Sequence, residues 1–293
     1  MTTEEMKGIL LKTLEEEAAI LEDTNQPYCK VLSPQIQEKA VDDVLATIEK
    51  WFGVQPMERS LMHSFYMRYK CDESTNGNIR QMSLEVISQA VEAKYKRLED
   101  IKLTSQDDEI GDEEPDRIGS KIAFQITKLL LDTITEGTNP IVFTMDGEAD
   151  NGGKLGWLID VHANNIATNT RRGTGNFALI PRHLTEYGCT ICKATEDDIV
   201  KLTPYVSYIG KYHETTDIYV VDQINTVIVG YKGNNGQTDA GIIYCPHKVM
   251  GAVDRFAMKP GTLESIIAPV TSYGLATDED TPKYYSTFKV ALL

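Results

Sequence analysis

The sequence predicts a mixed α+β protein. Apolar residues recur at helical spacing through much of the first half, and short apolar runs bounded by turn residues alternate with helices through the second. No repeat of fixed period and no low-complexity linker interrupts either pattern. The chain has 293 residues, 41% hydrophobic and 25% charged. That is enough for one large or two modest domains with a real apolar core, without help from disulfides or metals.

Taken in order, Leu10, Leu11, Leu14, Ala18 and Leu21 mark a first helix, and DTNQPYC breaks it. The run SPQIQEKAVDDVLATIEKWFG starts a second, with Ser33 as N-cap, Pro34 at the first helical position and Gly53 past the end. Next, SFYMRYK reads as a strand, Asn76-Gly77 as a tight turn and IRQMS as the returning strand. Both faces of this hairpin carry polar groups, so it is expected to protrude. A helical pattern is read from Leu84 to Leu103, leading into the acidic run DDEIGDEE, which is read as solvated surface rather than a cation site.

A long amphipathic helix follows, with Ile118, Ile122, Ile126, Leu129, Leu130 and Thr133 on one stripe and Gly137 as its stop. Beyond it come the strand IVFTM, a helix around LGWLIDVHANNIA, the strand FALI, a short helix PRHLTEYG, and the strands DIYVV, NTVIVGYKG and AGIIYC. In the final strand, YYSTFKVALL, residues Tyr284, Ser286, Phe288, Val290 and Leu292 share one face.

Charge and cysteine usage narrow the function classes. A formal net charge of −15 repels phosphate backbones, which argues against tight or sequence-specific nucleic-acid binding. No apolar run approaches the length of a membrane span, and MTTEEM opens with acidic residues where a secretory signal carries positive ones. Cys29, Cys71, Cys189, Cys192 and Cys245 are unevenly spaced, a poor disulfide framework, and free thiols are expected.

The glycine-rich stretch TRRGTGNFA, residues 170–178, invites comparison with a phosphate-cradling loop. Such a loop follows a strand and opens a helix. Here a helix bearing Leu155, Leu158, Ile159, His162, Ala163 and Ile166 precedes the glycines and a strand follows. Gly173 is therefore read as a left-handed helix terminus, with Arg171 and Arg172 at the negative end of the helix dipole. The segment GYKGNNGQTDAG likewise lacks a Gly-Lys-Ser/Thr and reads as a hairpin turn.

Cys189 and Cys192 with Cys245 and His247 have residue types suited to tetrahedral zinc, but Cys-Pro-His does not easily aim two ligands at one ion, and Cys189 follows Gly188, read as a helix stop. Inert, buried thiols are the plainer reading. His63, His162, His183 and His213 stand apart in sequence, and His162 is read as a packing residue.

The segment LGWLIDVHANNIATNTRRGTGNFALIPRHL resembles the major capsid proteins of T-even-type tailed phages, through the Asn-Asn-Ile run at Ala163 to Ala167 and the Arg-Arg-Gly run at Thr170 to Phe177. The stretch Val227 to Pro246, with its Gly-Tyr-Lys-Gly turn and Tyr-Cys-Pro strand, and the stretch Ala268 to Leu275 resemble the same family in the same order.

The resemblance implies the Hong Kong 97-type phage capsid fold, an α+β architecture: an N-terminal helical arm over 1–58, an extended E-loop hairpin over 59–82, and a peripheral domain over 83–137 with a spine helix from Ile118 to Ile134. An axial domain over 138–254 and a return to the peripheral domain over 255–293 complete it. It implies a structural role without catalysis, in which copies self-assemble into hexamers and pentamers of an icosahedral head enclosing double-stranded DNA. Portal, scaffold and decoration proteins are the implied further partners, with assembly in the host bacterial cytoplasm and the virion as final location. No catalytic, cofactor-binding or metal-binding residue is nominated, no cofactor is expected, and neither membrane nor sequence-specific DNA binding is implied.

The chain departs from the family in being much shorter than the T-even-type proteins and in showing no insertion domain between hairpin and spine helix. Leu14-Glu15-Glu16 and Ile20-Leu21-Glu22 match the triplet at which the family's maturation protease cuts. Three alternatives stand beside this reading: a minor vertex subunit of the same fold, a non-viral shell-forming compartment protein, and a zinc-dependent enzyme using Cys189, Cys192 and Cys245.

Overall fold

A computed structural model describes residues 34–54, 62–72, 81–91, 94–99, 101–103, 113–136, 138–145, 151–233, 240–248, 265–267, 269–277 and 281–292, together with 4, 7, 8, 11 and 12. Most of the first helix, the Asn76-Gly77 turn, most of the acidic run, Gly137 and the tip of GYKGNNGQTDAG lie outside the described residues.

In chain order the elements are α1 (Pro34–Trp51), β1 (Gly53–Val54), β2 (Met62–Asp72), β3 (Gln81–Val91), β4 (Lys94–Arg97), β5 (Ile101–Leu103) and α2 (Glu113–Thr135). Then come β6 (Ile141–Met145), α3 (Asn151–Thr170), β7 (Phe177–Pro181), α4 (Thr185–Cys192), β8 (Val200–Thr203), β9 (Val206–Tyr212) and β10 (Thr216–Val221). The last are β11 (Val227–Gly230), β12 (Ile243–Lys248), β13 (Ser265–Ile267), β14 (Val270–Ala276) and β15 (Tyr285–Leu292). The predicted α+β class is what the structure shows.

A seven-stranded sheet, ordered β6-β15-β11-β7-β10-β9-β8, sits between two helical layers. Its strands alternate between the two cores. Phe177 and Leu179 of β7, Tyr219 and Val221 of β10, and Ile228 of β11 pack on the side of α1 and α2. Ala178 and Ile180, Ile218 and Val220, and Val227 and Val229 face the other way, toward α3 and α4. A strand buried on both faces cannot show apolar/polar alternation, which is why FALIP and VIVG read as continuous apolar runs.

A four-stranded sheet, β1-β12-β14-β4, adds Val54, Tyr244 and Tyr273 to the core on the side of α1 and α2, and β13 and β5 pair as a separate two-stranded sheet. Those two helices pack closely at Gly119, where an added Cβ would lie 2.8 Å from the Lys39 Cβ and 2.9 Å from the Ile36 carbonyl oxygen. Beside this crossing, buried Asp43 accepts a hydrogen bond from the Ser120 hydroxyl at 2.6 Å and from the Lys39 ammonium at 2.9 Å. The carboxylate is thus paired and tolerated inside the interface.

The helix expected over Leu84 to Leu103 is not formed. Residues 81–91 instead make an eleven-residue strand antiparallel to Met62–Asp72, in register from Met62 opposite Val91 to Asp72 opposite Gln81. Good helix formers such as Glu85, Gln89 and Ala90 are overridden by a continuous ladder and by the β-branched Val86, Ile87 and Val91. The hairpin read from sequence is therefore present and longer than expected.

A second correction concerns Gly188. It lies inside α4, where the closest neighbours of an added Cβ would be Ile180 at 2.6 Å and Ile209 at 2.8 Å. It lets the helix approach the sheet and does not stop it; the helix ends at Lys193, whose φ is 54°.

Candidate assembly surfaces

The stretch ATNTRRGTGNF closes α3 and enters β7. Leu155, Leu158, Ile159, His162, Ala163 and Ile166 are buried as the helical spacing predicts, while Asn164, Asn165 and Thr168 face outward with Trp157, which is 61% exposed. The left-handed residue at the helix end is Arg171, with φ of 56°, and not Gly173. The two glycines serve close approach instead. A Cβ at Gly173 would lie 2.8 Å from the Tyr231 ring, and one at Gly175 would lie 2.9 Å from Val229 and 3.1 Å from the Ala163 Cα. The loop is a packing joint between helix and sheet.

Asn176, which sequence reasoning did not single out, ties two of the motif segments together. Its side-chain amide donates to the Lys232 carbonyl at 2.5 Å, and its carbonyl oxygen accepts from the Lys232 backbone N–H at 3.0 Å. Lys232 in turn reaches the Glu49 carbonyl near the C-terminus of α1, where a cation complements the helix dipole. Burial lowers the Lys232 pKa below its ordinary value, with the nearby Glu49 charge opposing that shift. The motifs around residues 170–177 and 227–246 thus meet at one joint. The sequence offered no spacing from which to infer it.

The reactive-looking residues are placed structurally. His162 is stacked on Phe288 with ring centroids 4.6 Å apart, and its Nδ1 lies 2.6 Å from the Ser286 hydroxyl. Burial lowers its pKa. It is the packing residue expected. His213 is not isolated: its ring lies 4.0 Å from that of Tyr212, and its Nε2 is 3.8 Å from Asp160. Tyr212 also donates to Asp160 at 3.0 Å.

Cys189 and Cys192 sit on the last turn of α4, against the seven-stranded sheet, whereas Cys245 is buried in β12 of the other sheet. All three thiols are free. Burial is the leading cause that pushes the Cys192 and Cys245 thiols up to about 12, and Cys189 is raised in the same way. Such thiols stay protonated near neutral pH and are poor nucleophiles, and Cys245 lies in a different sheet from the one against which Cys189 and Cys192 pack. Among the described residues, no group of three His, Cys, Asp or Glu is placed to hold a metal ion. No described helix is long and apolar enough to cross a membrane.

What the body leaves uncovered is a set of surfaces. Ile141 and Val142 on β6 are 65% and 59% exposed, and Val200 on β8 is 53% exposed. These strands are the two edges of the seven-stranded sheet. The ribbon β2-β3 forms a sheet of its own, with no third strand among the described residues. Two-stranded ribbons are marginal alone in water, and exposed apolar side chains on an edge strand invite pairing.

A family model described as "Major capsid protein Gp23" matches residues 73–290, well over half of the chain. The chain belongs to the Major capsid protein Gp23 family. It is a structural protein of a phage capsid, and with the family comes the Hong Kong 97-type capsid fold that the motifs led us to expect.

No curated protein matches this Gp23-family chain. Solved structures resemble it at low identity. A virus-like particle from Pyrococcus furiosus is 11% identical with a TM-score of 0.48, covering 87% of this chain and 98% of its own. A structure from Microbacterium phage Oxtober96 is 7% identical with a TM-score of 0.45, covering 84% and 91%. The capsid structure of cyanophage P-SCSP1u is 8% identical with a TM-score of 0.42, covering 83% and 87%. The family assignment rests on the family model.

Proposed function

We propose that this chain is the major subunit of an icosahedral phage head, assembling through hexamers and pentamers around double-stranded DNA. The observation that carries the reading, beside family membership, is the contrast between a body with two filled cores and surfaces it cannot complete itself: the ribbon β2-β3 and the edges β6 and β8. Many weak contacts of this kind add through multivalency, and weak contacts permit correction before a lattice locks. The net charge of −15 suits a wall that must not hold packaged DNA. The work is assembly, without a chemical step.

In this reading the E-loop is 59–82, carried by the ribbon, and the ribbon's second strand runs on to Val91 inside the peripheral domain. The arm is 1–58, with α1 packed on the spine helix α2; the peripheral domain is 83–137, the axial domain 138–254, and the return 255–293. The return serves both halves, since β14 joins the four-stranded sheet and β15 joins the seven-stranded one. Assembly takes place in the host bacterial cytoplasm and the product is the virion. Portal, scaffold and decoration proteins are the proposed further partners.

Electron microscopy of the protein expressed alone, paired with sizing of the same sample, tests this. Closed shells, tubes or rings of six are expected. A uniformly monomeric population at every concentration would overturn the self-assembly reading.

A further inference from the structure

The ribbon passes into the body through one short segment. After two intervening residues β3 is followed by β4, the edge strand of the four-stranded sheet, where Lys94 to Arg97 pair antiparallel with Tyr273 to Val270 of β14. Strand β14 lies against β3 as well. One more backbone bond, from the Leu98 N–H to the Pro269 carbonyl at 2.9 Å, carries this ladder past the end of β4. By Ile101 the chain has entered a different sheet, paired with β13. Glu99 thus stands where one ladder has ended and the next has not begun.

A side chain takes the place of a neighbouring strand there. The Gln125 amide accepts from the Glu99 backbone N–H through Oε1 at 2.6 Å and donates through Nε2 to the Glu99 carbonyl at 3.2 Å. A primary amide presents an acceptor and a donor side by side, and it engages both main-chain groups of one residue, as facing residues of an antiparallel pair do. Only one orientation of the amide satisfies both bonds. Gln125 projects from α2, whose Ile122 and Ile126 are fully buried in the core shared with α1. Leu98, the residue before the clamped one, is buried in the same core.

The clamp contributes direction more than stability. Both bonds lie in exposed surroundings, where water replaces a lost partner and the net contribution of a hydrogen bond is small. Two bonds to one residue still fix both its distance from α2 and its orientation. The lever beyond is long. Strands of eleven residues carry the ribbon about 35 Å from its base, so a tilt of about 10° there moves the far end by about 6 Å. Such a displacement exceeds the reach of a hydrogen bond or an apolar contact.

We infer that Gln125 is a positioning residue for assembly: it fastens the base of the ribbon to α2 and so sets the angle at which the ribbon meets a neighbouring copy. This rests on the reading of the ribbon as an intersubunit element.

The full-length chain carrying Gln125→Met tests the clamp, since methionine keeps the length and helix preference of glutamine and makes neither bond. Its melting temperature should stay within about 3 °C of the unmodified chain, while regular closed shells are lost in favour of open or irregular particles. Lys128→Met is the control. It removes another exposed bond of the same helix, from Lys128 to Asp132 at 2.6 Å, with no tie to the base of the ribbon, and should leave both readouts unchanged. A much larger fall in melting temperature for Gln125→Met, or equal loss of shells from Lys128→Met, would overturn the positioning role. Shells of normal yield and regularity from Gln125→Met would overturn it too. The chain lacking residues 71–78 separates the two possible failures. If that deletion abolishes shells while Gln125→Met leaves them regular, only the clamp falls; normal shells from the deletion, or no particles from the unmodified chain, take down the reading on which it rests.

Discussion

In the seven-stranded sheet the central strands β7, β10 and β11 each have a neighbour on both sides and side chains in both cores; in the ribbon two strands of eleven residues pair only with each other. The first region draws its stability from the chain itself, the second from whatever lies beside it. A change in the sheet interior should therefore damage the subunit, and a change in the ribbon should damage the assembly.

The largest separation should come from deleting residues 71–78. Assembly is expected to be abolished while the melting temperature of the subunit stays where it was; shells at normal yield would show that the ribbon is not an intersubunit element. The converse is Leu179→Ala, at a position with no exposure, between α1, α2 and the sheet. A cost of about 2–5 kcal/mol is expected in denaturant unfolding, because a buried leucine leaves a cavity when truncated. A cost near zero would mean that the core is not packed as described.

An intermediate case is Trp157→Ser. With the indole 61% exposed, subunit stability should change by no more than about 0.5 kcal/mol. Exposed tryptophans are frequent anchors at interfaces, so weaker assembly is expected in the same variant. A large loss of subunit stability would place Trp157 with the core instead.

The smallest effect concerns pH. Burial holds His162 below its ordinary value of 6.5, so the unfolded chain takes up a proton near that pH and the folded subunit does not. The stability contribution is fully present above 6.5 and is lost as pH falls from 6.5 through the depressed folded value. In His162→Gln this dependence disappears, and the gap in melting temperature between the unmodified chain and the variant should narrow as the buffer is acidified from neutral. A gap independent of pH would contradict the assignment.

The helices were legible because their signals are local. Pro34 opens α1 where its ring suits the first turn, and the apolar stripe from Ile118 to Leu130 marks α2. The hairpin was legible from its alternation. Its second strand was misread because helix formers and β-branched residues are mixed there, and the deciding term is pairing with a strand about twenty residues away. Strands β8 and β9 went unread for a related reason: Pro204 and Gly210 interrupt the run, and register shifts break its alternation. The Asn176–Lys232–Glu49 joint was invisible because its parts lie in three separate segments. The assembly surfaces were legible only through the resemblance to capsid proteins, since an exposed valine on an edge strand looks like any other valine until the sheet order is known.

In the proposed assembly, neighbouring copies complete the ribbon and the sheet edges. Hydrogen exchange compared between unassembled subunits and assembled particles tests it most directly. We expect amides of residues 62–91, 141–145 and 200–203 to gain protection on assembly while those of β7, β10 and β11 stay equally slow in both states. Unchanged exchange in the ribbon and both edges of assembled particles would contradict the claim.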